Sequence, residues 1–210
     1  AREIRSAGVS VVVTVDVAPA GPGRDFGKGR DARWPTYAAA GALAEAGVPL
    51  AIATPDNLRA RDLRFAAAVA SRGGLDEEAA LRAITLGAAE VLGVADRVGS
   101  IAPGKDADFA VFNGPPMEMA SSVLATWVEG AEVFTPPSPS ESAAGAANRA
   151  STKSSAVVIE ADALYVGDGE VLRPGQVLIV DGVIAEVGER VGRPFGAAVA
   201  HGPVAMPGLV

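Results

Sequence analysis

Among the residues able to do chemistry, Asp56 has the most telling position. It follows Val48-Pro-Leu-Ala-Ile-Ala-Thr54, a short apolar run expected to form a buried strand, within Ala53-Thr54-Pro55-Asp56-Asn57. A carboxylate just past the C-terminal end of a parallel strand sits where α/β barrels present catalytic groups. The same residue also fits as the cap of a helix starting near Leu58, since Asp followed by Asn is common at a strand-to-helix turn. Asp16 lies near the end of another apolar run, Val9–Val17, and is read as a loop carboxylate. Arg24, Lys28, Arg30 and Arg33 could touch an anionic substrate, but the interleaved Asp25 and Asp31 favour a solvated loop.

Other chemistries lack their parts. The chain has 1 histidine, His201, in a Gly/Ala/Pro-rich stretch without Asp, Glu or Cys at ligand spacing, and it is expected at the surface. One histidine cannot build a His-rich zinc centre or a two-metal site. No Gly-x-Ser-x-Gly elbow accompanies it, and with 0 cysteines there is no thiolate nucleophile or disulfide framework. Gly21-Pro-Gly23 and Gly27-Lys-Gly29 match neither phosphate-loop spacing and are read as flexible loop.

The elements that must position Asp56 follow a βαβ rhythm. Val9–Val17 is nearly continuous in apolar, β-branched residues, as in a strand buried on both faces. After a Gly/Pro/Arg loop over Pro19–Pro35, Thr36 can cap a helix running to Ala46 and ending at Gly47. A second helix is expected over Leu58–Arg72. A third is capped by Asp76, with Glu77 and Glu78 favouring the positive end of its dipole. Its Leu81, Ile84, Ala88, Val91 and Leu92 share one face, and Gly93 stops it.

Beyond Asp106 the period becomes that of strands, with hairpin signals at Pro103-Gly104, Asn113-Gly114 and Glu129-Gly130. Residues 135–155 hold no large apolar side chain and are expected to be a disordered Pro/Ser/Ala linker. Ala156–Glu160, Ala163–Val166, Gln176–Val180 and Val183–Val187 then predict a compact antiparallel meander, punctuated by Gly167-Asp-Gly169, Pro174-Gly175 and Asp181-Gly182.

Composition limits the function classes. With 49% hydrophobic and 20% charged residues, and no apolar run near the roughly 20 residues needed to span a bilayer, a globular chain without a membrane partner is expected. A net charge of -7 and a pI near 4.8 argue against a nucleic-acid partner. Ala1-Arg-Glu-Ile-Arg5 carries no signal pattern and no initiating Met, so the chain is expected to start inside a longer product. The compartment stays open.

The most specific stretch is Gly99-Ser-Ile-Ala-Pro-Gly-Lys-Asp-Ala-Asp108, and its physics is structural. Pro103-Gly104 makes a tight turn, Lys105 offsets the adjacent carboxylates, and Asp106 and Asp108 can bond backbone amides where the next strand enters its sheet. Together with Gly74-Leu-Asp-Glu-Glu-Ala-Ala-Leu-Arg-Ala-Ile-Thr-Leu-Gly-Ala-Ala-Glu-Val-Leu-Gly93 and Val123-Leu-Ala-Thr-Trp-Val-Glu-Gly-Ala-Glu-Val-Phe134, it resembles the C-terminal end of metal-dependent amidohydrolases of the imidazolonepropionase and dihydroorotase type. Residues 156–210, ending Val204-Ala-Met-Pro-Gly-Leu-Val210, resemble the N-terminal end of the same family.

That inverted order implies the end of one unit followed by the start of a second. The expected fold is α/β plus β, a fragment of a (β/α)8 amidohydrolase barrel with a small composite β-sandwich. Residues 1–95 would be partial barrel, 96–134 the sandwich strands after it, 135–155 the linker, and 156–210 the N-terminal strands of the following unit. In the resembled family the last barrel strand delivers an Asp that helps hold metal and takes a proton from the attacking water, a role that would fall to Asp56. The Asp-x-His-x-His that follows Pro-Gly-Leu-Val in the family lies beyond Val210. The resemblance therefore implies a parent hydrolase of carbon–nitrogen bonds in cyclic amides, with a divalent metal, zinc, and a small-molecule substrate. No metal is expected in this chain alone, and a homo-oligomer or a complementing chain is expected around its open sheet edge. The competing reading is a degenerate, non-catalytic scaffold or binding module, for which Ala53-Thr-Pro-Asp56 speaks.

Overall fold

In a computed structural model of the chain, the structure describes residues 1–15, 38–54, 62–136 and 156–209. The first part is a small α/β layer. A short helix, α1 (Arg2–Ser6), precedes β1 (Val11–Thr14), which pairs in parallel with β2 (Leu50–Ala53) from Val11 opposite Leu50 to Thr14 opposite Ala53. Between them lies α2 (Ala38–Glu45), giving the expected β-α-β order. The two strands therefore end side by side at their C-terminal ends.

Burial on both faces, expected over Val9–Val17, does not hold for β1. Among the described residues β1 pairs with β2 alone, and its side chains alternate between half-buried and exposed, with Val12 55% and Val9 49% exposed. A strand covered on one face alternates in this way whatever its composition. Ile52 of β2 is instead fully covered, because α3 (Leu63–Arg72), α4 (Glu77–Ala83) and α5 (Leu86–Leu92) pack against that strand.

The third expected helix is two helices, broken at Ile84–Thr85. Ala80, Leu81, Ala83 and Ile84 all need burial, and α5 must also lie close to the β2 backbone. A Cβ at Gly87 would stand 3.0 Å from the Leu50 carbonyl oxygen. One straight helix cannot meet both demands, and the Thr85 hydroxyl, fully buried, donates to the Leu81 carbonyl at 2.9 Å at the break. Both ends follow the sequence reading: Asp76 accepts from the Glu78 and Ala79 amides, and Gly93 takes the left-handed conformation at φ 73°. Leu92, expected on the core face, is 66% exposed.

The remainder is one eight-stranded sheet. Its strands are β3 (Phe109–Phe112), β4 (Val123–Val128), β5 (Ala131–Phe134), β6 (Ala156–Tyr165), β7 (Val171–Leu172), β8 (Gly175–Val180), β9 (Val183–Gly188) and β10 (Ala198–Pro207). The order is β5-β4-β3-β10-β6-β8-β9, with β7 also paired to β6. The strands of residues 109–134 and those of 156–188 thus meet through β10, which runs antiparallel to β3 and parallel to β6. The expected meander omitted that parallel pair, and it split β6 into two strands. Asn113-Gly114 turns into a longer connection ending at β4 rather than a tight hairpin.

β10 carries Gly202 and Pro203, residues that disguise a strand. β3 pairs with β10 only from Val204 onward, so Pro203, lacking an N–H, lies where β10 is still an edge on that side.

The sheet curls until its far ends touch. Asp106, just before β3, bridges to Val183 of β9, and the Ala107 amide donates to the Gly182 carbonyl at 3.0 Å. Two tight turns meet there, Glu129-Gly130 and Asp181-Gly182, with positive φ at all four residues as the favoured two-residue hairpin turns require. A Cβ on Gly130 would come within 2.6 Å of the Gly182 Cα, so neither turn tolerates a side chain at its glycine. Inside the curl lies a core of Phe109, Val111 and Trp127 from one segment with Val157, Ile159, Val177, Ile179 and Ile184 from the other. Phe109 and Trp127 stack with ring centres 5.8 Å apart. Val157 and Ile159 face Trp127's cluster, while Val133 of β5 is 59% exposed. The outer side of β3 and β10 presents Phe112, Val204 and Met206 to α3 and α4, forming a second core.

Candidate functional site

Asp56, the one residue assigned both a catalytic and a metal-binding part from sequence, lies outside the described residues, as do Asp16 and the basic loop of Arg24, Lys28, Arg30 and Arg33. The described residues show the strand that leads to it. Thr54 follows β2 directly, and the Val15 amide donates to the Ala53 carbonyl at 3.3 Å, so β1 and β2 end level with each other. Helices α3, α4 and α5 brace β2, and a parallel strand so held is a firm base for a residue just beyond its end.

His201 sits on the outward face of β10, exposed, with its Nε2 3.9 Å from Asp162 Oδ1, itself exposed. It has one carboxylate in reach, and among the described residues no group of three or more His, Cys, Asp or Glu could hold a metal ion. The neighbouring Glu160 is engaged by Arg193 and by the Gln176 amide nitrogen at 3.3 Å.

Residues 99–108 form a structural knot. Lys105 does not offset Asp106 and Asp108. Its ammonium donates to the Ala95 carbonyl at 2.5 Å and the Ser100 hydroxyl at 2.7 Å, closing off the chain that leaves α5. Asp106 pairs with Arg97 at 2.6 Å, and Asp108 accepts from the Glu129 amide at 2.7 Å, fixing the turn that meets Gly182.

Sequence reasoning passed over two features. Arg64, in the first turn of α3, lies with its guanidinium carbon 5.0 Å over the Phe112 ring and donates through Nη2 to the Ser121 carbonyl at 2.9 Å. Burial pushes its pKa below the usual arginine value. Its spacing from Phe112 gave no local signal. The second is a cleft of about 300 Å³ between α4 and the turn after β6, with Asp76, Glu77, Glu78, Glu170 and Arg82 around Met117 and Tyr165. Asp76 is occupied as a helix cap and Arg82 by Glu90 at 2.6 Å. The cleft offers carboxylates and apolar walls without a histidine or a nucleophile. Among the described residues, no helix is long and apolar enough to cross a membrane.

Comparison with known proteins agrees with this architecture. The sequence profile of the Amidohydrolase family matches residues 24–136. Amidohydrolase tasK of Hapsidospora irregularis is 30% identical over 89 residues, which are 42% of this chain and 9% of that protein. The crystal structure of an amidohydrolase from Thermotoga maritima MSB8 matches with a TM-score of 0.53 at 33% identity, covering 64% of this chain and 33% of that one. The chain therefore spans less than a tenth of the first relative and a third of the second.

Proposed function

The chain belongs to the amidohydrolase family, and from that premise we propose that its parent protein hydrolyses carbon–nitrogen bonds in small cyclic amides, as imidazolonepropionase- and dihydroorotase-type enzymes do. The observation that carries the assignment of the site is the position of Asp56 in sequence, three residues after β2, beyond the level C-terminal ends of a parallel pair. Catalytic groups of α/β barrels occupy such ends. Asp56 is accordingly our candidate for metal ligand and proton acceptor.

The described residues do not fit a metal centre, since His201 is exposed with a single carboxylate nearby. A divalent ion, zinc in our reading, would take its histidines from the parent outside this chain, and we derive no step through it. The same proposal makes residues 1–95 part of a (β/α)8 barrel, the curled sheet the family's small β-domain, and residues 156–210 the opening of a second unit in tandem.

The test is made on the parent protein with a panel of cyclic amides. Asp56→Asn is expected to lower kcat/KM by about 10²–10⁴-fold, the range for a lost acid–base group. Chelation should abolish turnover and zinc should restore it. Unchanged kcat/KM in Asp56→Asn would remove Asp56 from the chemistry, and a parent inert on every amide yet tightly folded would favour a non-catalytic scaffold.

A further inference from the structure

The boundary between residues 1–136 and 156–209 is built like the inside of a domain. It is crossed by the antiparallel β3–β10 ladder, from Val204 opposite Phe112 to Pro207 opposite Phe109. Backbone bonds cross it too: the Ile101 amide to the Val166 carbonyl at 2.8 Å, Gly104 to Ile184 at 2.7 Å, and Ile184 back to Lys105 at 2.9 Å. Both cores straddle it. Trp127 shares one with Ile159, Ile179 and Ile184, and Phe112 shares the other with Val204 and Met206.

Its fit is also steric. A Cβ added to Gly202 of β10 would collide with the Val111 side chain of β3, and the Gly130–Gly182 approach lies across the same boundary. Neither piece satisfies itself. Without residues 156–209, β3 loses its neighbour on one side, Phe109 and Trp127 lose the wall of their core, and α4 loses Met206. Interfaces with an apolar, interdigitated core and a complete backbone ladder belong to obligate association.

We infer that β3, the 99–108 segment and the Glu129-Gly130 turn form an acceptor surface that holds residues 156–209 by these contacts alone, and that, once the connection between them is cut, it takes the same segment from a second copy of the chain as readily as its own. The geometry specifies the occupant: a parallel β6–β10 pair, with Gly202 lying against the Val111 side chain and a second glycine turn against Gly130. This rests on the structure and not on the proposed activity.

The full chain is prepared with a specific protease site inserted between Ala146 and Ala147, then cut while folded. Native mass spectrometry should find both pieces together at the mass of the whole chain. The melting midpoint of the cut protein should fall on dilution more steeply than that of the uncut chain, whose two pieces stay joined. Cut protein mixed with a ¹⁵N-labelled cut sample, unfolded and refolded together, should yield the two hybrid masses in amounts near those of the parental pairs. Pieces that separate on cutting, or refolded complexes without hybrids, would overturn the inference. Gly202→Val gives an independent reading: the cut variant should dissociate at concentrations where the cut parent stays whole, and equal retention in both would count against the interface as described.

Discussion

Lys105 shows how a charged side chain in the most specific stretch of a sequence can serve the backbone instead of chemistry. Its neighbours in sequence, Asp106 and Asp108, invited an ion-pair reading, but each has another partner, Arg97 and the Glu129 amide. The carbonyls left behind α5 determine where the ammonium goes. Such groups are invisible to a residue count because they depend on where a helix stops. Lys105→Met is expected to lower stability by about 1–3 kcal/mol, the cost of leaving half-buried acceptors unpaired. A urea-midpoint shift below the equivalent of ~0.5 kcal/mol would show that water replaces the ammonium there. Asp76→Ala should cost about 1 kcal/mol, as loss of an N-cap does. That cap was legible because its signal is local; the stacking of Arg64 on Phe112 was not, because it spans distant chain positions.

At the scale of elements, what could be read from sequence was what local physics determines. The helix caps, the β-α-β order and the turns at Glu129-Gly130 and Asp181-Gly182 follow from side-chain oxygens, hydrophobic period and glycine's access to positive φ. The misjudged elements depend on neighbours. β1 carries the composition of a buried strand yet has a partner on one side only among the described residues, and β10 hides behind Gly202 and Pro203. The break at Ile84–Thr85 lies where α4 gives way to α5, whose Gly87 comes close to the β2 backbone, a contact between distant parts of the chain. For the same reason the turns should respond unequally to mutation. Gly130→Val meets both an unfavourable φ of 72° and the Gly182 Cα, so a loss of about 2–4 kcal/mol is expected. Gly104→Val also has a positive φ, but nothing lies within 4 Å of its added Cβ, and it should lose about 1–2 kcal/mol from backbone strain alone. Equal melting-temperature losses in the two variants would refute the packing contribution at Gly130.

For the whole molecule, the candidate site was legible only as a location. A strand end can be found from a single sequence, but the ligand set of a metal centre depends on residues brought from several strands. With His201 exposed and Asp56 as the one candidate ligand, the purified chain should retain well under one zinc per molecule after dialysis. Stoichiometric zinc lost on Asp56→Asn would show that a centre exists after all. The small parallel layer has its own consequence. As a two-stranded sheet it leaves the outer edge of β1 with unpaired N–H and C=O groups among the described residues, beside exposed Val9 and Val12. Such an edge pairs with another chain unless charge or a bulge blocks it. The chain should therefore self-associate through β1, and Val12→Lys should weaken that association by at least about tenfold, since a lysine would have to be desolvated in the joined state. Sedimentation equilibrium of both proteins across a concentration series decides it: a wild-type chain that stays monomeric, with strongly protected amides over Val11–Thr14, would mean that the edge is already covered within one molecule.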